Sequence, residues 1–174
     1  MKKILFRGLL CIVIACGLFV GFLYAGHDIG VRAGKLEADI RDSQKILDDW
    51  TVDGEISDTM AAFISYPQDR TDHTYSIYVN RPGLSFGYFF RGGGDIVEVE
   101  KYISEFTVEG YGERAFVSMN MQKAARLEID GGNGIRVIEI DADRPFTLVL
   151  PADAGSVYFY DVNGAPVAYV KQPL

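Results

Sequence analysis

Hydrophobic positions fall into three successive patterns along the chain. From Gly8 to Gly26 nineteen residues pass without a charge, and a helix of that length spans about 28 Å, close to the thickness of a hydrocarbon core. From Ile29 to Trp50 the apolar and small positions Ile29, Ala33, Leu36, Ile40, Ser43, Leu47 and Trp50 recur in alternating steps of four and three, the spacing of a heptad seam. From about Met60 the period drops to two, and turn residues punctuate short runs of aromatic and β-branched side chains, the signature of strands. The expected organisation is a cytoplasmic segment 1–7, a transmembrane signal-anchor helix 8–26, a juxtamembrane helix 27–54 and an extracytoplasmic β-domain 55–174. The fold class is mainly β, with an N-terminal transmembrane helix continuing into an amphipathic helix and then an antiparallel β-sandwich or partly open barrel.

Within the β-domain, Tyr75, Ile77 and Val79 are answered by Phe86, Tyr88 and Phe90, with Pro82-Gly83 as the turn. The C-terminal end repeats the device: SVYFYDV and APVAYV are joined by Asn163-Gly164, read as a two-residue type I′ hairpin turn. Further strands are expected near 96–108, 114–121, 125–130, 135–140 and 146–150. The segment GEISDTMAAFISYP admits both a helix capped by Ser57 or Asp58 and a first strand over MAAFISY, with the strand favoured, and Asp53-Gly54 reads as the stop of the preceding helix.

The flanks of the apolar run decide its orientation. Lys2, Lys3 and Arg7 precede it, so the positive-inside rule keeps the N-terminus in the cytoplasm and sends the remainder across the membrane, to the periplasm if the cell is Gram-negative. A cleaved leader has a shorter apolar stretch and small residues before its cleavage site, which Leu23 and Tyr24 spoil. Val13-Ile14-Ala15-Cys16 resembles a loose lipoprotein box, but ten apolar residues, Gly17 to Gly26, follow where such proteins begin a polar tether. Cys11 and Cys16 are the only cysteines, so no disulfide staples the β-domain.

Small residues at Gly17, Gly21 and Ala25, and one step out of phase at Gly26, Gly30 and Gly34, let a neighbouring helix approach closely in lipid. With Ala33, Ile40 and Leu47 at a positions and Leu36 at d, Arg32 falls at g and the following e is Glu37, opposite charges suited to a parallel pair; the stripe fits equally a helix packed on the chain's own domain. The expected partners are the membrane, another envelope or secreted protein, and a second copy of the chain in a parallel homo-oligomer.

Charge narrows the picture further. All 24 acidic residues lie from Asp28 onward with 14 of the 17 basic ones, giving residues 27–174 a formal charge of −10. Such a surface repels phosphate backbones and disfavours nucleic acid. The chemical inventory is thin: two histidines, His27 and His73, with no HExxH, phosphate-binding loop or paired-cysteine spacing. His73 reads as a surface strand residue. Arg91-Gly-Gly-Gly-Asp95 reads as a glycine loop between strands. Asp130, Asp141, Asp143 and Asp153 are the acidic-loop residues that calcium would take, although their spacing departs from an EF-hand. Tyr78 and Phe89, if they face outward, form a stacking or protein-binding patch; the favoured alternative is that both faces of this hairpin are buried in a two-layer sandwich. No cofactor and no metal are expected.

A membrane helix continuing into an amphipathic segment and then a β-domain resembles the architecture of type IV pilins. Pilin leaders end in glycine followed by an apolar stretch with glutamate at its fifth position. Here Gly8 is followed by Leu9-Leu10-Cys11-Ile12-Val13, and membership is not adopted. The function expected is a membrane-anchored, extracytoplasmic, non-enzymatic interaction or assembly protein of the cell envelope. The alternatives are a sugar- or calcium-binding module and a carboxylate-based hydrolase.

Overall fold

The structure is a computed structural model describing residues 2–25, 29–81 and 87–174, except for the side chains of 2–7 and of Tyr24. The Pro82-Gly83 turn, Phe86, Gly26 and His27 lie outside the described residues. The N-terminal helix α1 is Lys2–Ala25. A single 3-10 turn, Ala33–Lys35, leads into α2, Leu36–Ser43. Strands β1 (Thr51–Ile56), β2 (Met60–Tyr66), β3 (Thr74–Asn80) and β4 (Tyr88–Gly94) follow, then a short helix α3 (Val97–Lys101). The remainder is β5 (Ile103–Thr107), β6 (Glu113–Ser118), β7 (Ala124–Asp130), β8 (Ile135–Glu139), β9 (Phe146–Pro151), β10 (Ser156–Asp161), β11 (Pro166–Val167) and β12 (Tyr169–Pro173).

These strands form three open sheets, ordered β1-β2-β3-β4, β12-β5-β6-β9 and β11-β10-β7-β8. No barrel closes, and the arrangement is sandwich-like. It carries a layer more than a two-sheet sandwich. Every pairing is antiparallel except that of β12 with β5. Strand alternation sorts side chains into separate cores. Met60, Ala62 and Ile64 of β2 and Ile77 and Val79 of β3 meet Phe106, Ala115, Val117 and Val149 of the second sheet. On that sheet's other face Ile103, Phe116, Phe146 and Leu150 pack against Leu127, Ile129, Val157 and Phe159 of the third. The second sheet is thus covered on both faces. Rings bridge the layers: Tyr75 stacks on Phe106 at 4.5 Å, and Phe116 meets Phe159 edge-on at 5.3 Å.

The first sheet is covered on its remaining face by α2. Leu36 and Ile40, both fully buried, join Ala61, Phe63, Tyr78 and Tyr88 in a third cluster. This corrects the continuous juxtamembrane helix expected over 27–54 and its heptad seam. Helix extends only over Leu36–Ser43, and its apolar stripe serves the chain's own sheet. Two contacts explain the breaks. Val31 pairs with Tyr88 in an isolated antiparallel bridge, and a Cβ on Gly30 would sit 2.6 Å from the Tyr88 carbonyl oxygen, which holds this segment extended against β4. Beyond α2, Arg41 donates to the carbonyls of Leu47 and Trp50 at 3.0 and 3.1 Å and closes 44–50 as a loop. Asp53-Gly54 is not a helix stop but the middle of β1, where Phe63 lies so close over Gly54 that a Cβ would meet its ring at 2.2 Å.

Three other expectations change. The segment 96–108 begins as a helical turn that buries Val99 and leaves Val97 exposed, and is a strand only from Ile103. Arg91–Gly94 belong to β4, not to a loop. The C-terminal hairpin turns through three residues: Gly164 N–H bonds the Asp161 carbonyl at 3.0 Å, Asp161 N–H bonds the Ala165 carbonyl at 2.9 Å, and only Gly164 takes a positive φ, 79°. That is a type I turn closed by a left-handed glycine, not a two-residue type I′ turn. The Asp161 carboxylate selects it by accepting the amides of Asn163 and Ala165, both at 2.8 Å.

Among the described residues no helix is long and apolar enough to cross a membrane. The stretch of α1 with described side chains, Gly8–Leu23, has sixteen residues, and every residue of it but the half-buried Leu23 is exposed.

Because Leu36 fills a closed core, Leu36→Ala is expected to cost about 2–5 kcal/mol. Leu47→Ala, 63% exposed in the loop beyond α2, is expected to change stability by less than about 0.5 kcal/mol. Urea unfolding of the two variants checks this; equal losses would restore the seam.

Candidate interaction surfaces

The residues singled out for helix association divide between two environments. Gly17 and Gly21 have nothing within 4 Å of where a Cβ would be, and Ala25 is exposed at the end of α1, so this row is open. Gly34 is equally open, in the 3-10 turn. Gly30 is packed against β4, and Leu36 and Ile40 are sealed under α2. Glu37, expected to meet Arg32 of a neighbour, instead pairs with Arg41 one turn along its own helix at 2.9 Å.

The Tyr78 and Phe89 patch is also corrected. Tyr78 is fully buried beneath α2, its ring edge-on to Phe63 and Phe90, and its hydroxyl donates to Asp39 at 2.7 Å. Both faces of β3 are filled, leaving no outward side for Tyr78 to occupy. Phe89 is half-buried, with the Arg81 guanidinium 4.2 Å above its ring. Burial, reinforced by the neighbouring Asp39 carboxylate, pushes the Tyr78 phenol well above its ordinary value of 10.0. Burial also raises Tyr75, and raises Tyr88 with help from Asp58 and Glu113.

The acidic residues considered for calcium are not brought together. Asp130 and Asp141 each close a turn by accepting a backbone amide two residues on. Asp143 pairs with Lys123 at 2.8 Å, and this hydrogen bond holds its carboxyl below the usual carboxylate range. Asp153 is exposed in the turn between β9 and β10. Among the described residues no group of three or more His, Cys, Asp or Glu side chains is placed to hold a metal ion. His73 is buried rather than on the surface, its Nε2 3.2 Å from the Ile96 carbonyl oxygen and 3.4 Å from Asp95. No nucleophile stands within this group, which ties the start of β3 to the segment before α3.

One surface that sequence reasoning did not single out emerges from the register of the third sheet. Its inner face closes a core, and its outer face is left uncovered by the described residues. Residues opposite one another in an antiparallel pair share a face. Asp130 lies beside Ile135 and Ser156, Glu128 beside Val137 and Tyr158, and Arg126 beside Glu139 and Tyr160. Tyr158 is 51% exposed, Ile135 63% and Val137 48%. Arg126 is fixed between an ion pair to Glu128 at 3.1 Å and the Tyr160 ring at 4.7 Å. A shallow depression lined by Glu128, Asp130, Ile135, Tyr158 and Tyr160 lies at the centre of this face. The alternation in SVYFYD, with Val157 and Phe159 buried and the tyrosines between them outward, was the signal available in the sequence. The arrangement offers flat aromatic and aliphatic area flanked by carboxylates, suited to recognition.

No family model matches the chain, and no curated protein or solved structure is significantly similar to it.

The raised tyrosines set an alkaline limit. Above pH 10 the unfolded chain ionises these phenols while the folded chain keeps them protonated, so the unfolded state binds fewer protons and stability falls as pH rises. Below that pH these groups leave stability flat. Tyr78→Phe is expected to cost about 1 kcal/mol at neutral pH through the lost bond to Asp39 and to make the alkaline decline shallower. Urea midpoints between pH 7 and 11 check this; an unchanged alkaline slope in the variant contradicts it.

Proposed function

We propose that this protein is a non-enzymatic interaction or assembly protein of the cell envelope, anchored by α1 with its β-domain outside the cytoplasm. The observation that carries this reading is the state of α1. Leu9, Leu10, Ile12, Val13, Ile14, Leu18, Phe19, Val20 and Phe22 are all between 50% and 72% exposed, in a run that the sequence leaves uncharged from Gly8 to Gly26. Each such side chain gains about 1.5–3 kcal/mol on leaving water, and the chain's own cores do not receive them. A bilayer does, and the uncharged run from Gly8 to Gly26 supports this reading, since nineteen residues as a helix match the thickness of a hydrocarbon core. Lys2, Lys3 and Arg7 at its N-terminal end support an N-terminus in the cytoplasm.

An interaction role is supported by the outer face of the third sheet, which presents tyrosines and aliphatic side chains to solvent. The open row Gly17, Gly21 and Ala25 supports packing of α1 against a second copy or a partner's span, because close backbone approach drives helix association in lipid.

Protease added to intact spheroplasts is expected to remove the β-domain and leave a short membrane stump; full protection contradicts the anchor and its orientation. In the same membranes, chemical cross-linking is expected to give a dimer or a partner adduct whose yield drops several-fold in Gly21→Ile. An unchanged yield removes the glycine row from the account.

A further inference from the structure

The three sheets have six edges, and an unprotected edge is a template for another strand. Five are closed. The β9 edge is capped by Glu55, whose carboxylate accepts the Val149 amide at 2.8 Å, and the strand ends in Pro151. β1, which supplies that glutamate, lies against β9. β4 carries a register shift and three successive glycines. β11 is two residues long and begins with Pro166. β12 contains Lys171 and ends in Pro173. Proline, lysine, bulges and shortness are the usual means of blocking edge pairing.

The sixth edge, β8, has none of these. Ile135-Arg136-Val137-Ile138-Glu139 runs in unbroken register with β7, contains no proline, glycine or lysine, and exposes Ile135 and Val137. It also borders the uncovered face already described. On that face Glu128, Asp130 and Glu139 stand against the single guanidinium of Arg126, which Glu128 and Tyr160 engage; Arg136 belongs to the opposite face, in register with Ile129. The local field is therefore negative, in a chain whose residues 27–174 carry a formal charge of −10. A second copy pairing β8 to β8 would bring two sets of these carboxylates together, which like-charge repulsion opposes.

We propose that β8 is the docking edge for an extended basic segment of a partner protein, which adds a fifth strand to this sheet. The proposal rests on the reading of the chain as an interaction protein and specifies its surface and its partner's chemistry. Main-chain hydrogen bonds along β8 supply affinity; β-branched residues opposite Ile135 and Val137, and a lysine or arginine opposite Glu139, supply selectivity.

The test uses the full-length chain in a neutral detergent and two fluorescent probes, a short peptide alternating lysine with valine and its glutamate–valine counterpart. The lysine peptide is expected to bind at least about tenfold more tightly, with affinity falling as salt rises. The double variant Ile135→Lys/Val137→Lys is expected to lose that binding while its Trp50 fluorescence and thermal midpoint stay native. Glu139→Lys, an exposed change, is expected to narrow the preference between the two peptides. Equal binding of both peptides, no binding by the wild-type chain, or unchanged binding by both variants overturns the proposal. Cross-linked capture from native membranes separates this from the broader reading. If wild type and the double variant capture the same partner equally, the β8 assignment fails and the interaction role stands. If wild type captures no protein, the interaction role itself fails.

Discussion

The structure depends on one constraint: β5 and β6 are buried on both faces at once. On β6, Ala115 and Val117 point to one core while Phe116 points to the other, so the strand must be apolar at consecutive positions, not alternate ones. A sheet in that position needs a layer on either side, and the first and third sheets are those layers. The small residues sit toward the tightly packed first sheet, and the large ring reaches into the cluster with Phe159 and Tyr169. A charged pair intrudes here: Arg114 bridges Glu105 at 3.2 Å and the Gly155 carbonyl at 2.7 Å, binding the central sheet to the turn that leads into β10.

Stacking three sheets leaves two outer faces, and the chain treats them differently. The first sheet's outer face is sealed by α2, with Leu36 and Ile40 in the core and the Tyr78 hydroxyl bonded to Asp39. That seal uses the segment the heptad spacing reserved for a partner helix. The third sheet's outer face has no such cover. With five edges blocked and one face sealed, the remaining open surface is that face together with β8. The proposed interaction role rests on this asymmetry, since a domain that binds a partner needs one unoccupied surface to meet it.

Legibility in the sequence followed the range of the interactions responsible. Runs of aromatic and β-branched residues bounded by turn residues located β3, β6, β7, β8, β9 and β10 closely, while β2, buried at all of its positions, carries no alternation to read. The same reasoning failed at Val97-Glu-Val-Glu, where alternation is present but one helical turn buries only Val99. The helix over 29–50 was read too long, while its stripe stayed open between two uses, because Leu36 and Ile40 have the right spacing for a seam and equally for a helix lying on a sheet. What separates the two is the Val31–Tyr88 bridge and the Arg41 bonds to Leu47 and Trp50, contacts that spacing does not encode. Gly54 in β1 carries the same lesson: its role is to admit the Phe63 ring from the next strand. The outer face of the third sheet was half legible, as outward tyrosines in SVYFYD. Its union with Glu128, Asp130, Ile135 and Val137 required the register.

Hydrogen exchange along the full-length chain tests the central claim, a doubly covered sheet beside a single open edge, most directly. Backbone amides of β5 and β6 are expected to exchange last, through opening approaching the global free energy. Amides of β8 are expected to exchange among the first of the sheet strands. Protection of β8 equal to that of β6, or loss of the β5 and β6 amides ahead of the first and third sheets, would contradict the account.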